Sequence, residues 1–198
     1  MIKIIDYKAG NAPSVLAAVE RLGYKAELIS RPEELASATH IILPGVGSAK
    51  ATMDSLAETG LIDALYEAVM VKKTLFLGIC VGMQILFEHS EEDDADCLGW
   101  FKGTVKRFDS ARVNVPQMGW NKVSFSDGRH NGYYYFVNSY FATPSDSGIV
   151  WGTADYDGMF TAAVRKDNVH ATQFHTEKSG ETGLALLGEF LSKTKEGE

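Results

Sequence analysis

Cysteine is scarce in this chain, with only Cys80 and Cys97 among 198 residues. Two cysteines cannot build a disulfide framework, and their spacing matches no zinc pattern. A reducing, cytoplasmic setting follows, in which free thiols survive. Positive charge is also short. Against 26 Asp and Glu stand 19 Lys and Arg, a net charge of -7, which works against the phosphate attraction that nucleic-acid binding depends on. No apolar run approaches the roughly 20 residues of a membrane span. Neither nucleic acid nor membrane is therefore expected as a partner. The segment 1–6 lacks the long apolar region and cleavage site of a signal peptide and reads as a first strand. Internal repeats, low-complexity linkers and a dinucleotide fingerprint are missing as well. With 45% hydrophobic and 23% charged residues, the chain can bury one sizeable core, and 1–198 reads as a single domain.

The apolar pattern alternates short strands with helices. Strands are expected at 2–5, 24–29, 40–43 and 74–78, with helices after Asn11, at 49–58 and at 61–72. Asn11 or Ser14 caps the first helix, with Pro13 in its first turn. A short helix is read at 32–37. This rhythm implies an α/β fold with a mainly parallel sheet and flanking helices. The acidic run 90–96 reads as a solvated loop and His89 as a helix end. From 105 to 174 the pattern changes to short strands, at 105–108, 122–125, 133–137, 149–154, 160–165 and 169–174, joined by turn pairs such as Asp127-Gly128 and Asp157-Gly158. They form an added, mostly antiparallel block. A last helix is read at 183–191, and 193–198 as a frayed tail.

The stretch Gly78-Ile79-Cys80-Val81-Gly82 follows a buried strand and opens a helix. Small residues on either side permit a sharp strand-to-helix bend that lifts Cys80 into an awkward backbone conformation, the cysteine counterpart of the nucleophile elbow. The helix start favours thiolate. A thiol nucleophile needs a base, and the base an orienting group. Of five histidines, His175 alone directly follows an apolar strand and has a carboxylate, Glu177, two residues on. Cys80, His175 and Glu177 thus make a complete nucleophile, base and orienter set. The Val81 amide is one donor for a developing oxyanion, and the Gly45-Val46-Gly47 loop offers a second. A plain turn or a phosphate cradle is the alternative for that loop, though it lacks the lysine and length of a phosphate loop, and a surface salt pair is the alternative for His-x-Glu.

The segments Pro44-Gly45-Val46-Gly47, Gly78-Ile79-Cys80-Val81-Gly82-Met83-Gln84, Pro116-Gln117-Met118-Gly119-Trp120-Asn121, Tyr135-Phe136-Val137-Asn138-Ser139-Tyr140 and Gln173-Phe174-His175-Thr176-Glu177-Lys178-Ser179 together resemble the triad-type glutamine amidotransferases, whose fold is flavodoxin-like. More narrowly they look like the glutaminase subunits of imidazole glycerol phosphate synthases. The resemblance runs nearly end to end. It implies that Cys80 attacks the amide carbon of glutamine, that His175 activates water against the thioester, and that Glu177 orients His175. It places the amides of Val46 and Val81 in the oxyanion hole and Gly47, Gln84, Ser139 and Tyr140 around the substrate's amino-acid end. It implies no cofactor and no metal. It also implies a heterodimer with a (β/α)₈-barrel cyclase that consumes the ammonia, with Asn11, Met118 and Trp120 toward that partner and little activity without it. Core packing is an equal reading for Met118 or Trp120 taken singly. Thr176 stands where proline is usual, and Asn138 and Gln117 where histidine is frequent. Another ammonia acceptor, such as a surface sugar, and a cysteine hydrolase of related fold remain as alternatives.

Overall fold

A computed structural model describes residues 1–7 and 11–194. The expected turn at 6–11 and tail at 193–198 fall partly outside the described residues. Thirteen strands follow in order: β1 (Ile2–Ile5), β2 (Ala26–Ile29), β3 (His40–Gly45), β4 (Leu75–Cys80), β5 (His89–Ser90), β6 (Ala95–Asp96), β7 (Gly103–Arg107), β8 (Gln117–Phe125), β9 (Gly132–Asn138), β10 (Tyr140–Pro144), β11 (Val150–Asp155), β12 (Met159–Lys166) and β13 (Val169–Thr172). The helices are α1 (Ala12–Arg21), α2 (Ala49–Glu58), α3 (Leu61–Tyr66), α4 (Val81–Gln84) and α5 (Gly180–Ser192).

One sheet runs β2-β1-β3-β4-β13-β12-β10-β7-β5-β6, and β11, β8 and β9 continue it from β12. The first five strands pair parallel. Every residue of β1, β3, β4 and β13 is buried, as strands covered on both faces require. The chain leaves β1 toward β2 and returns to its other side as β3, so the order reverses between β1 and β3. Ligands of such sheets bind at the carboxyl ends beside that reversal. The antiparallel block has its own aromatic core of Phe125, Tyr134, Phe136, Trp151, Phe160 and Phe174. Among the described residues, no helix is long and apolar enough to cross a membrane.

The α/β reading and the antiparallel extension stand, and most boundaries shift by only a few residues. Three expectations are corrected. The helix after Cys80 is a single turn, because the carbonyls of Ile85, Leu86 and Phe87 accept from Leu98, Phe101 and Gly99 instead of continuing a helix. His89 consequently begins β5 rather than ending a helix. The helix expected at 61–72 is α-helical only through Tyr66 and widens into a π-type turn over Glu67–Val71. Sequence reading missed β10. The break at Asn138-Ser139 looked like a loop, but there the chain changes partner, from Gln117 beside Asn138 to Arg107 beside Tyr140.

At the opposite, amino-terminal edge of β13, His170 packs edge-on against Trp151 and Phe190. Burial, with Lys193 and Arg165 adding to it, pushes its pKa from 6.5 down to about 4. The unfolded chain takes up this proton near pH 6.5 and the folded chain only near 4. Stability is therefore full above the unfolded value and falls as the pH drops toward 4. Between pH 7 and 5 this group costs roughly 2 kcal/mol. Urea unfolding at the two pH values measures it, and the difference between them shrinks in His170→Leu.

Candidate active site

Cys80 ends β4 with φ 57° and ψ −111°, a left-handed conformation rare outside glycine. Its neighbours explain how this is held. A Cβ on Gly78 would lie 2.4 Å from the Gly82 carbonyl oxygen, and one on Gly82 would lie 2.0 Å from that of Leu43. A Cβ on Gly45 would fall 2.6 Å from the Gly82 nitrogen. The ends of β3 and β4 and the start of α4 thus touch backbone to backbone. The G-x-C-x-G spacing is a steric requirement.

β13 lies parallel to β4, with Thr172 opposite Ile79. The chain leaving β13 therefore passes beside Cys80 and brings His175 to it. His175 is fixed through its main chain: its N–H donates to Tyr135 at 3.0 Å, and its carbonyl accepts from the Ser179 hydroxyl. Its Nδ1 is 2.8 Å from Glu177 Oε1, and Cys80 lies close enough to act on the ring. Burial opposes a charged ring, but the hydrogen bonds and charges of Cys80 and Glu177 outweigh it and raise the His175 pKa to about 10. Burial likewise pushes Glu177 up, while the bonds from His175 and Asn11 bring it below the ordinary carboxylate value.

A cavity of about 290 Å³ opens over this triad, at the small end of ligand sites. Val46, Gly47, Val81, Gln84, Ser139 and Tyr140 line it with Cys80 and His175. The residues read from sequence as oxyanion donors and substrate contacts thus all reach one place. Gln84 Nε2 donates to the Tyr140 carbonyl at 3.1 Å. The Tyr7 hydroxyl accepts from Thr52 Oγ1 at 3.4 Å, and burial raises its pKa.

Two further placements differ from expectation. Asn11, expected to face a partner, is 5% exposed and turns inward, donating to Glu177 Oε1 rather than capping α1. Glu92, expected in a solvated loop, lines the cavity and accepts from the Ala49 N–H at the start of α2 at 2.9 Å. Burial raises its pKa. A carboxylate at a helix start is the signal in hindsight, but seven acidic or small residues in a row, 90–96, concealed which one turned inward. Met118 and Trp120 are 66% and 57% exposed, which removes core packing as their role. The unusual Gln117 and Asn138 are cross-strand partners, both buried.

The glutamine amidotransferase class-I family model matches residues 3–193. The chain belongs to this family. Imidazole glycerol phosphate synthase subunit HisH of Leptospira interrogans is 43% identical, over 97% of this chain and all of the relative. The subunit of the same name from Dehalococcoides mccartyi is 45% identical, over 96% of each. A crystal structure titled as a glutamine amidotransferase superposes with a TM-score of 0.78 at 19% identity, covering 97% of this chain and 99% of its own, and so supports the fold.

The backbone contacts around Cys80 carry a direct expectation. Gly82→Ala forces a methyl group into the Leu43 carbonyl, destabilising the chain by about 1–3 kcal/mol, the cost of an overpacked site. It also displaces Cys80. Thermal unfolding and the alkylation rate of Cys80 measure the two effects.

Proposed function

We propose that this chain is the glutaminase subunit of an imidazole glycerol phosphate synthase, acting in histidine biosynthesis in the cytoplasm and feeding ammonia to a (β/α)₈-barrel cyclase subunit in a heterodimer. The observation that carries the reading is the convergence of Cys80, His175 and Glu177 over a cavity of amino-acid size. The Cys80 sulfur attacks the side-chain amide carbon of glutamine, and His175 gives its proton to the leaving nitrogen. Ammonia departs and a thioester remains. Water, deprotonated by His175, then attacks the thioester carbon, releasing glutamate and restoring the thiol. Glu177 fixes the ring tautomer and stabilises the imidazolium.

The cavity wall supports this choice of substrate. A free amino acid brings an ammonium group, and Glu92 offers a carboxylate from the lining. Gln84, Gly47, Ser139 and Tyr140 surround the remaining polar atoms. The Val81 amide donates to the oxyanion. The Val46 amide, in the cavity lining, is the second donor. The exposed Met118 and Trp120 offer the apolar anchor expected of a partner contact.

Three outcomes test this. Cys80→Ala abolishes glutamate release from glutamine measured with the cyclase present; retained activity refutes the reading. Hydrolysis by the chain alone is low, because ammonia released to solvent is wasted, and rises about 100-fold with the cyclase, the scale of one oxyanion donor. Glu92→Gln raises KM for glutamine about 10-fold, as loss of a charged partner predicts, with kcat little changed. Steady-state assays of glutamate formation read all three.

A further inference from the structure

Gln173 has no part in the mechanism above, yet it is fully buried beside the sulfur. The parallel register explains its position. Thr172 pairs with Ile79, so the next residue on one strand falls beside the next on the other, and Gln173 meets Cys80. Both ends of its side chain have partners. Nε2 lies 3.7 Å from Cys80 Sγ, and Oε1 accepts from Gln84 Nε2 at 3.1 Å.

The orientation of this amide follows from its surroundings. The Tyr140 carbonyl accepts only, so Gln84 must present its NH₂ there. The same nitrogen meets Gln173, which must therefore present its oxygen to Gln84 and its NH₂ to the sulfur. The sulfur's contact on another side is the Val137 carbonyl at 3.9 Å, an acceptor that serves the neutral thiol alone.

We propose that Gln173 is a positioning residue for the nucleophile: its side-chain N–H holds the Cys80 sulfur toward the cavity, and Gln84 prevents that amide from rotating. A hydrogen bond to an anionic acceptor is stronger than one to a neutral acceptor, so the contact tightens when the thiolate forms. It also links the wall that receives substrate to the atom that attacks it. The inference rests on the cysteine-nucleophile reading above.

Gln173→Met keeps a similar volume without the donor, and Gln173→Glu keeps an acceptor for Gln84 but places an acceptor or charge at the sulfur. Two rates are measured at one neutral pH: glutamine hydrolysis with the cyclase, and iodoacetamide alkylation at Cys80, separated from Cys97 by peptide mass spectrometry. In Gln173→Met, kcat and the alkylation rate both fall about 10- to 100-fold, the range of a hydrogen bond to a charged group, while KM stays within about twofold. Gln173→Glu falls at least as far. An alkylation rate unchanged in Gln173→Met overturns the proposal, because a packing role alone would be preserved by methionine. A wild-type chain that hydrolyses no glutamine, but whose alkylation still depends on Gln173, upholds the positioning role and removes the glutaminase reading. If the variants do not fold, the side-chain amide signals of Gln173 in the wild-type chain decide. Their movement on alkylation of Cys80, with those of the distant Asn168 unmoved, supports the proposal, and their indifference refutes it.

Discussion

Three approaches of backbone to backbone, each too close for a side chain, hold Cys80 where it is. Gly45 and Gly82 let the end of β3 meet the first turn of α4, and Gly78 lets β4 fold back under that turn. Cys80 is left at a positive φ, which costs on the order of 1–3 kcal/mol for a residue with a side chain. The cost is borne by the strands. β3 and β4 are buried at all six of their positions and pair along their whole length. The strained residue sits where the sheet is most rigid, which fixes the sulfur to a small volume.

The rest of the site is assembled by register rather than by local strain. β13 pairs with β4 in parallel, so residues 173–175 arrive beside Cys80 without any special turn chemistry. Tyr135 and Ser179 then fix the His175 backbone from two directions. Thr176, which stands where proline is usual, is fully buried, and its carbonyl oxygen would lie 2.1 Å from a Cβ on Gly183. α5 packs closely onto the turn that a proline would otherwise constrain through φ.

Local chemistry made the parallel half of the fold and the triad legible in the sequence. Buried parallel strands write themselves as apolar runs, and a cysteine between two glycines two residues away on each side is a steric signature. What stayed hidden depends on distant partners. The one-turn length of α4 is set by carbonyls paired with residues 98–101, which no periodicity in 81–87 reveals. β10 was invisible because its neighbour is β7, more than thirty residues back. Glu92 and Asn11 were misread for the same reason. Each looked like a surface or capping residue, and each is claimed by a group far along the chain, Ala49 in one case and Glu177 in the other.

The exposed apolar residues and the triad are not independent surfaces. Trp120 packs edge-on against Tyr135 at 5.9 Å, and the Tyr135 carbonyl receives the His175 N–H. Asn11, at the start of α1, meets Glu177 from the β1 side. Tyr7, which follows β1, is buried and accepts from Thr52 Oγ1 of α2 at 3.4 Å. His175 is thus tied through Tyr135 to the exposed Trp120, and Glu177 to the start of α1. Displacement of β8 or of that helix start passes directly to the ring or to its carboxylate partner, whereas Cys80 is held by the sheet itself.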